Sequence, residues 1–151
     1  MGTATIANKD VLTEHDYEQM TVQGTCQTEA KEYLRLTAPP RPELVRPEVI
    51  LQRHLQTLLQ STHRDYRWLC SQYKALRQDC TVQRIRNEFT AKVYRSHARL
   101  ALQHGDLNEF NQCQTQLAEL NAVDDEFAMY RILYHVLMSL FSIYCWVYGM
   151  H

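Results

Sequence analysis

Apolar positions along the chain fall into helical registers that stop and restart. From Pro47 onward, Leu51, Leu55, Leu58 and Leu59 recur at i, i+4, i+7 and i+8, which predicts one apolar stripe on a helix over 47–62. Pro47 suits the first helical position, because the N–H it lacks would have no intrahelical partner there. After a break at 62–64, Asp65 is placed to accept N–H bonds at the start of a second helix, whose stripe is Tyr66, Leu69, Cys70, Tyr73 and Leu76. Thr81 reads as the cap of a third helix running to His104, with Val82, Ile85, Phe89, Val93 and Leu100 inward. Gly105 ends it, since glycine takes the left-handed cap conformation at little cost. Asp106, followed by Glu109 in capping-box spacing, opens a fourth helix with Leu107, Phe110, Cys113, Leu117 and Leu120 inward. A turn at 121–124 leads to a fifth helix from Asp125, where Asp124, Asp125 and Glu126 suit the positive end of the helix dipole.

Strand-like alternation and hairpin dipeptides are missing from this pattern. Helix starts at 47 and 81 lie 34 positions apart, a tetratricopeptide-like period. The predicted fold is therefore all-α: an incomplete helical-hairpin repeat, an α-solenoid of tetratricopeptide-like or PCI-like type. Upstream, residues 1–28 lack periodicity and read as a polar, disordered lead-in, and 29–36 as a short helix. The prolines at 39, 40, 42 and 47 favour a stiff extended segment. The expected partition is a lead-in over 1–30, a helical domain over 31–137 and a divergent apolar tail over 138–151.

Composition supports a helix-rich globular chain: of 151 residues, 45% are hydrophobic, with four Gly and four Pro. The net charge of −1 conceals a basic middle. Residues 31–104 carry 14 Lys/Arg against six Asp/Glu, between acidic ends, which suggests an anionic partner. On the third helix as predicted, Arg84, Arg95, Arg99 and Lys92 fall within about 80° of one another, away from the apolar stripe. They are the candidate RNA-binding residues, the alternative being a solvated face with a Glu88–Lys92 pair. Arg86 and His97 fall at the edge of the stripe and read as structural, as do Gly105 and Asp106 at the turn. Trp68 lies opposite the second stripe, either as a partner-binding anchor or as a second packing surface, with packing favoured.

Five cysteines in no CxxC pair suit a reducing compartment. No His or Cys spacing matches a metal site, and neither a nucleophile elbow nor a phosphate loop is present. The reading is a non-enzyme with no cofactor and no metal. Residues 132–150 lack formal charge and are just long enough to span a bilayer, so a tail-anchored membrane protein is an alternative.

Several segments carry a family likeness: K-E-Y-L-R-L-T (31–37), V-R-P (45–47), R-Q-D-C-T-V-Q-R-I-R-N-E-F-T (77–90), H-A-R (97–99), G-D (105–106), E-F-N-Q-C-Q-T-Q-L (109–117) and F-A-M-Y-R-I-L-Y (127–134). In this order and spacing the chain resembles the SAC-three/GANP family. The resemblance implies a helical repeat leading into a winged-helix module. It also implies pairing with a PCI-domain protein and a small acidic subunit of the proteasome-lid type, and a nuclear scaffold role in messenger-RNA processing and export, with RNA contact. It brings no catalytic residues. Cys80 stands where leucine is usual, Arg84 where a small residue is frequent and Arg95 where an acid is usual. The likeness stops after about Leu137, so the winged helix is expected to be missing. A proteasome-lid or initiation-factor PCI subunit is the remaining alternative.

Overall fold

The computed structural model describes residues 21–62 and 65–150. It is all-helical, with no strand among those residues: α1 (Glu48–Gln60), α2 (Tyr66–Val82), α3 (Glu88–Gln103), α4 (Leu107–Glu119) and α5 (Asp125–Tyr148), preceded by a 3₁₀ turn at Pro42–Leu44. Residues 1–20 of the expected lead-in, 63–64 of the interhelical break and 151 of the expected tail lie outside the described residues.

Two apolar clusters organise the stack, and α3 contributes to both. Leu51, Leu55 and Leu58 of α1 meet Leu69, Tyr73, Leu76 and Cys80 of α2 and Val93 of α3, with Trp68, Ile85, Phe89 and Leu100 packed around them. On its other side, α3 presents Ala91, Tyr94, Ala98 and Ala101 to Phe110, Cys113 and Leu117 of α4 and Phe127 of α5. Those alanines lack bulk, so α3 and α4 approach closely along their length. Leu59, assigned to the α1 stripe, is 47% exposed; Ile50 and His54 are buried instead.

Helix starts follow the expected chemistry at three of four capped ends. Asp65 accepts from Arg67 N, Asp106 from Glu109 N and Asp124 from Phe127 N. The fourth is a correction. Thr81 does not cap a third helix: it lies inside α2, where its hydroxyl donates to the Arg77 carbonyl. The chain breaks after Val82, and Asn87 caps α3 by accepting from Thr90 N. Helix starts at Glu48 and Glu88 are thus 40 positions apart, not 34.

The break is closed by a left-handed residue. Ile85 N donates to Cys80 O and Arg84 N to Thr81 O, the paired bonds of a Schellman turn, with Arg84 at φ 54°. The same pair of bonds closes α3 at Gly105 (φ 69°) and α4 at Asn121 (φ 52°). Arginine occupies a position where only glycine is free of Cβ strain.

Residues 29–36 do not form the expected short helix. From Gly24 to Leu36 the chain runs as an extended strap over α2, because tertiary partners take its backbone groups. Lys31 N donates to Gln72 Oε1, Tyr33 N to Ser71 Oγ and Gly24 N to Gln83 Oε1, while Leu34 O accepts from Gln78 Nε2. Thr25 N and Cys26 N donate to Pro42 O and Val45 O, so residues 24–30 belong to the fold and not to a lead-in. Gly24 is required at this crossing: a Cβ there would sit 2.4 Å from Val45 O.

Relief of the left-handed strain gives a direct expectation. Arg84→Gly should raise stability by about 0.5–1 kcal/mol, and Arg84→Val should lower it, as read by urea denaturation. Destabilisation by the glycine variant would show that the arginine side chain contributes more than the strain costs.

Candidate partner and nucleic-acid surfaces

Buried charge in this protein is concentrated on two carboxylates. Asp79, 1% exposed, accepts from Arg46 Nε at 2.6 Å and from Lys31 Nζ at 2.7 Å. Arg46 is itself fully buried, and its Nη1 donates to Glu29 O. Glu109 on α4, 3% exposed, takes Arg77 on one oxygen and Lys74 Nζ on the other at 2.8 Å. Burial pushes the Glu109 carboxyl up, but the bonds from Lys74 and Arg77 outweigh it and hold the group below the ordinary glutamate range.

His97 completes the second cluster. It is fully buried, stacks on Tyr73 at 5.1 Å, and contacts Arg77 Nη1 through Nδ1 at 3.1 Å. A guanidinium only donates, so Nδ1 accepts and the ring proton resides on Nε2. Burial, reinforced by the Arg77 charge, pushes its pKa down to about 3. His97, Glu109 and Cys113 have ligand atoms close enough for a metal ion, but the Arg77 guanidinium already lies among them, 3.5 Å from Cys113 Sγ. A cation of the chain's own therefore answers that donor set. The sequence reads His97, Gly105 and Asp106 as structural; the first lies in this buried cluster and the other two at the α3–α4 turn, where Asp106 also accepts from Tyr66 OH at 2.7 Å.

The cationic candidates do not form the outward stripe. Because α3 begins at Glu88, Arg84 sits in the preceding turn and not on the helix. Arg95 is directed at α5 and its approach: it donates to Ala122 O at 2.9 Å, pairs with Asp124 at 3.3 Å and reaches Glu88 at 2.6 Å. Arg99 forms a two-pronged pair with Glu126, at 2.8 and 2.6 Å, and lies over the Phe127 ring. Lys92 and Arg99 are both exposed on α3, but Arg99 is held in its carboxylate pair. Glu88, expected to pair with Lys92, pairs with Arg95 instead. Arg86 is exposed in the turn and donates to Glu119 O at 3.1 Å, tying the α2–α3 turn to the end of α4. Trp68 is half-buried against the first apolar cluster, the packing arrangement.

Two apolar surfaces do stand free of the core. On the strap and the 3₁₀ turn, Leu34, Leu36 and Leu44 are exposed around a shallow groove that Cys26, Ala30 and Pro40 also line, while the exposed Tyr33 lines a separate depression with Lys74, Arg77 and Tyr94. On α5, nearly every large side chain beyond Met129 is exposed.

Sequence reasoning missed the buried clusters. Gln72 and Asp79 fall about 40–60° outside the apolar stripe of α2, on the side of the buried Ala75, and Glu109 falls about 20° beyond that of α4, so helical phase did not mark them as buried. Arg46, Arg77 and Asp79 lie within V-R-P and R-Q-D, so these motif residues hold the fold.

Asp79→Asn leaves the buried Arg46 without a counter-charge and should cost about 3–5 kcal/mol by chemical denaturation. The double variant Arg46→Met with Asp79→Leu should recover much of that loss. His97 stays neutral in the folded state and protonates on unfolding, so the stability present above pH 6.5 declines as pH falls toward 3. The expected slope is up to about 1.4 kcal/mol per pH unit. His97→Gln should be less stable at pH 7 but show a flatter slope between pH 6.5 and 4.5, checked by urea titrations across that range.

No protein-family model matches the chain. Curated relatives do. SAC3 family protein A of Arabidopsis thaliana is 50% identical over 129 residues, covering 82% of this chain and 13% of that protein. Protein THP3 of Saccharomyces cerevisiae is 46% identical over 134 residues, 82% of this chain and 28% of that protein. The Leukocyte receptor cluster member 8 homolog of Xenopus laevis is 46% identical over 129 residues, 80% of this chain and 16% of that protein. The chain thus spans between 13% and 28% of the length of these relatives. Nearly half its residues are identical to theirs over four-fifths of its length, and by that measure the chain belongs to the SAC3 family, corresponding to one segment of its longer members.

Proposed function

We propose that this chain is a non-enzymatic helical scaffold of nuclear messenger-RNA processing and export, engaging a PCI-domain protein through the strap side of α2. Membership of the SAC3 family supports the biological setting. The observation that carries the docking surface is the strap itself. Its backbone is fixed by bonds to Gln72, Ser71 and Gln78 while Leu34 stays 71% and Leu44 51% exposed. Apolar side chains held outward on a fixed backbone lose little conformational freedom on binding, which favours association. A small acidic subunit of the proteasome-lid type is the second expected partner, and residues 31–104 supply the complementary charge.

RNA contact is the weaker half of the proposal. Arg95 and Arg99 are already matched by carboxylates, which leaves a smaller cationic surface on α3 around the exposed Lys92. Such a surface should bind RNA weakly and with strong salt dependence.

The test is co-expression of the full chain with a recombinant PCI-domain protein, followed by size exclusion and titration. A stoichiometric complex is expected, weakened at least tenfold by Leu34→Glu with Leu44→Glu while the helical circular dichroism is unchanged. No complex at about 10 µM, or one indifferent to both substitutions, defeats the assignment of this surface.

A further inference from the structure

Arg46 is fully buried, yet only part of its guanidinium is matched within the protein. Nε donates to Asp79 Oδ2 at 2.6 Å, and Nη1 donates to Glu29 O. Nη2 is buried and meets no acceptor among the described residues. A guanidinium in a protein keeps all its protons, so Nη2 carries N–H groups that require an acceptor. A donor left unmatched costs more when it belongs to a charged group.

His54 on α1 has the opposite deficiency, and the bonds around it fix its tautomer. Lys31 N is a donor and meets the side-chain amide of Gln72 at 3.1 Å, so the atom it meets is Oε1. His54 Nε2 lies 2.9 Å from the same oxygen and therefore carries the ring proton. Nδ1 is left as a bare acceptor, buried and with no donor among the described residues. Burial pushes the ring's pKa below the ordinary histidine value, so Nδ1 stays unprotonated at neutral pH.

The strap brings these two atoms into one region. Its Glu29 carbonyl takes Arg46, and two residues on its Lys31 N–H takes the Gln72 oxygen that His54 shares. The Arg46 charge is close enough to act on the His54 ring. A cation would satisfy Nδ1 but would be repelled by the guanidinium. An anion would satisfy the guanidinium but has nothing to donate to Nδ1. Water does both, since it accepts through oxygen and donates through hydrogen. Arg46 is 0% and His54 2% exposed, so such a water is internal, of the kind that completes otherwise unmatched buried polar groups.

We propose that a single buried water molecule bridges Arg46 and His54, accepting from Nη2 of the first and donating to Nδ1 of the second. It closes a ring of hydrogen bonds that runs from Asp79 through Arg46, the water, His54 and Gln72 to Lys31, whose Nζ returns to Asp79 at 2.7 Å. The ring joins the strap, the approach to α1, α1 and α2, and its members lie inside this chain. His54 is then held at both ring nitrogens. That fixes the rotation of α1 against the strap, which the apolar contacts of Leu51, Leu55 and Leu58, being non-directional, do not.

A crystal structure of the full chain, with water relaxation dispersion in solution, tests this. Density is expected for one water at about 3 Å from both atoms. Long-range proton–nitrogen spectra at neutral pH should place the His54 proton on Nε2. His54→Phe replaces the acceptor by carbon and should remove one long-lived internal water from the dispersion amplitude, with the helical circular dichroism unchanged. A direct bond between Arg46 Nη2 and His54 Nδ1, a ring proton on Nδ1, or a water at neither atom overturns the proposal. So does a folded His54→Phe chain that keeps the same number of long-lived waters. The measurements on the wild-type chain decide the matter by themselves if the variant fails to fold.

Discussion

The buried carboxylate of Asp79 is the constraint on which the amino-terminal half of the structure depends. It joins three stretches distant in sequence: the strap through Lys31, the approach to α1 through Arg46, and α2, which carries it. Such a cluster gives little net stability over well-packed apolar side chains, because desolvation of the charges offsets their attraction. Its effect is directional. A carboxylate that must satisfy one guanidinium and one ammonium leaves the strap a single position, and that position holds Tyr33, Leu34 and Leu44 at the surface. Gln83 reinforces it by bonding Gly24 N, Arg46 O and Asp79 O from the end of the same helix.

Arg77 stands two residues before Asp79 and about 200° around the helix. It serves the opposite side in the same way, reaching Glu109 on α4 and His97 on α3. α2 is therefore the hub of the molecule, with each of two adjacent charges fixing one neighbour. The Arg77 guanidinium also lies among a buried His, Glu and Cys, so the cation that these groups face is covalently part of the chain. Burial, with the Arg77 charge reinforcing it, keeps His97 neutral, and so makes the stack sensitive to acid at a point remote from the surface.

Much of the helical pattern was legible in the sequence because each helix has one dominant apolar face and three of the caps are aspartates. The α2–α3 break was not, for a physical reason. The end of α2 and the start of α3 pack on the same cluster, so Val82, Ile85, Phe89 and Val93 keep a helical spacing across a turn. The residue that reverses the chain is Arg84, whose side chain gives no hint of a left-handed backbone. The strap was misread because its own residues favour helix locally. The donors and acceptors that unwind it come from Ser71, Gln72, Gln78 and Gln83, some 40 or more positions away. The pairing of the arginines did not follow from pattern, since Glu126 lies 27 positions from Arg99.

That pairing links the two surface questions. Arg95 and Arg99 lie near the phase that would face a phosphate backbone, yet they are the groups that orient α5. A nucleic acid drawing them away would leave Asp124 and Glu126 without their partners at the helix base and would strip the cation from the Phe127 ring. Exposed pairs of this kind are individually weak, so the competition is one that salt and phosphate both enter. RNA engagement through these arginines and fixed placement of α5 therefore oppose each other. In a chain that uses α5 as a rigid strut, Arg95 and Arg99 are closed to a phosphate backbone. A chain that uses the arginines for RNA must let α5 pivot on Phe127, Tyr130 and Tyr134, whose contacts with Phe110 and each other are apolar and indifferent to salt.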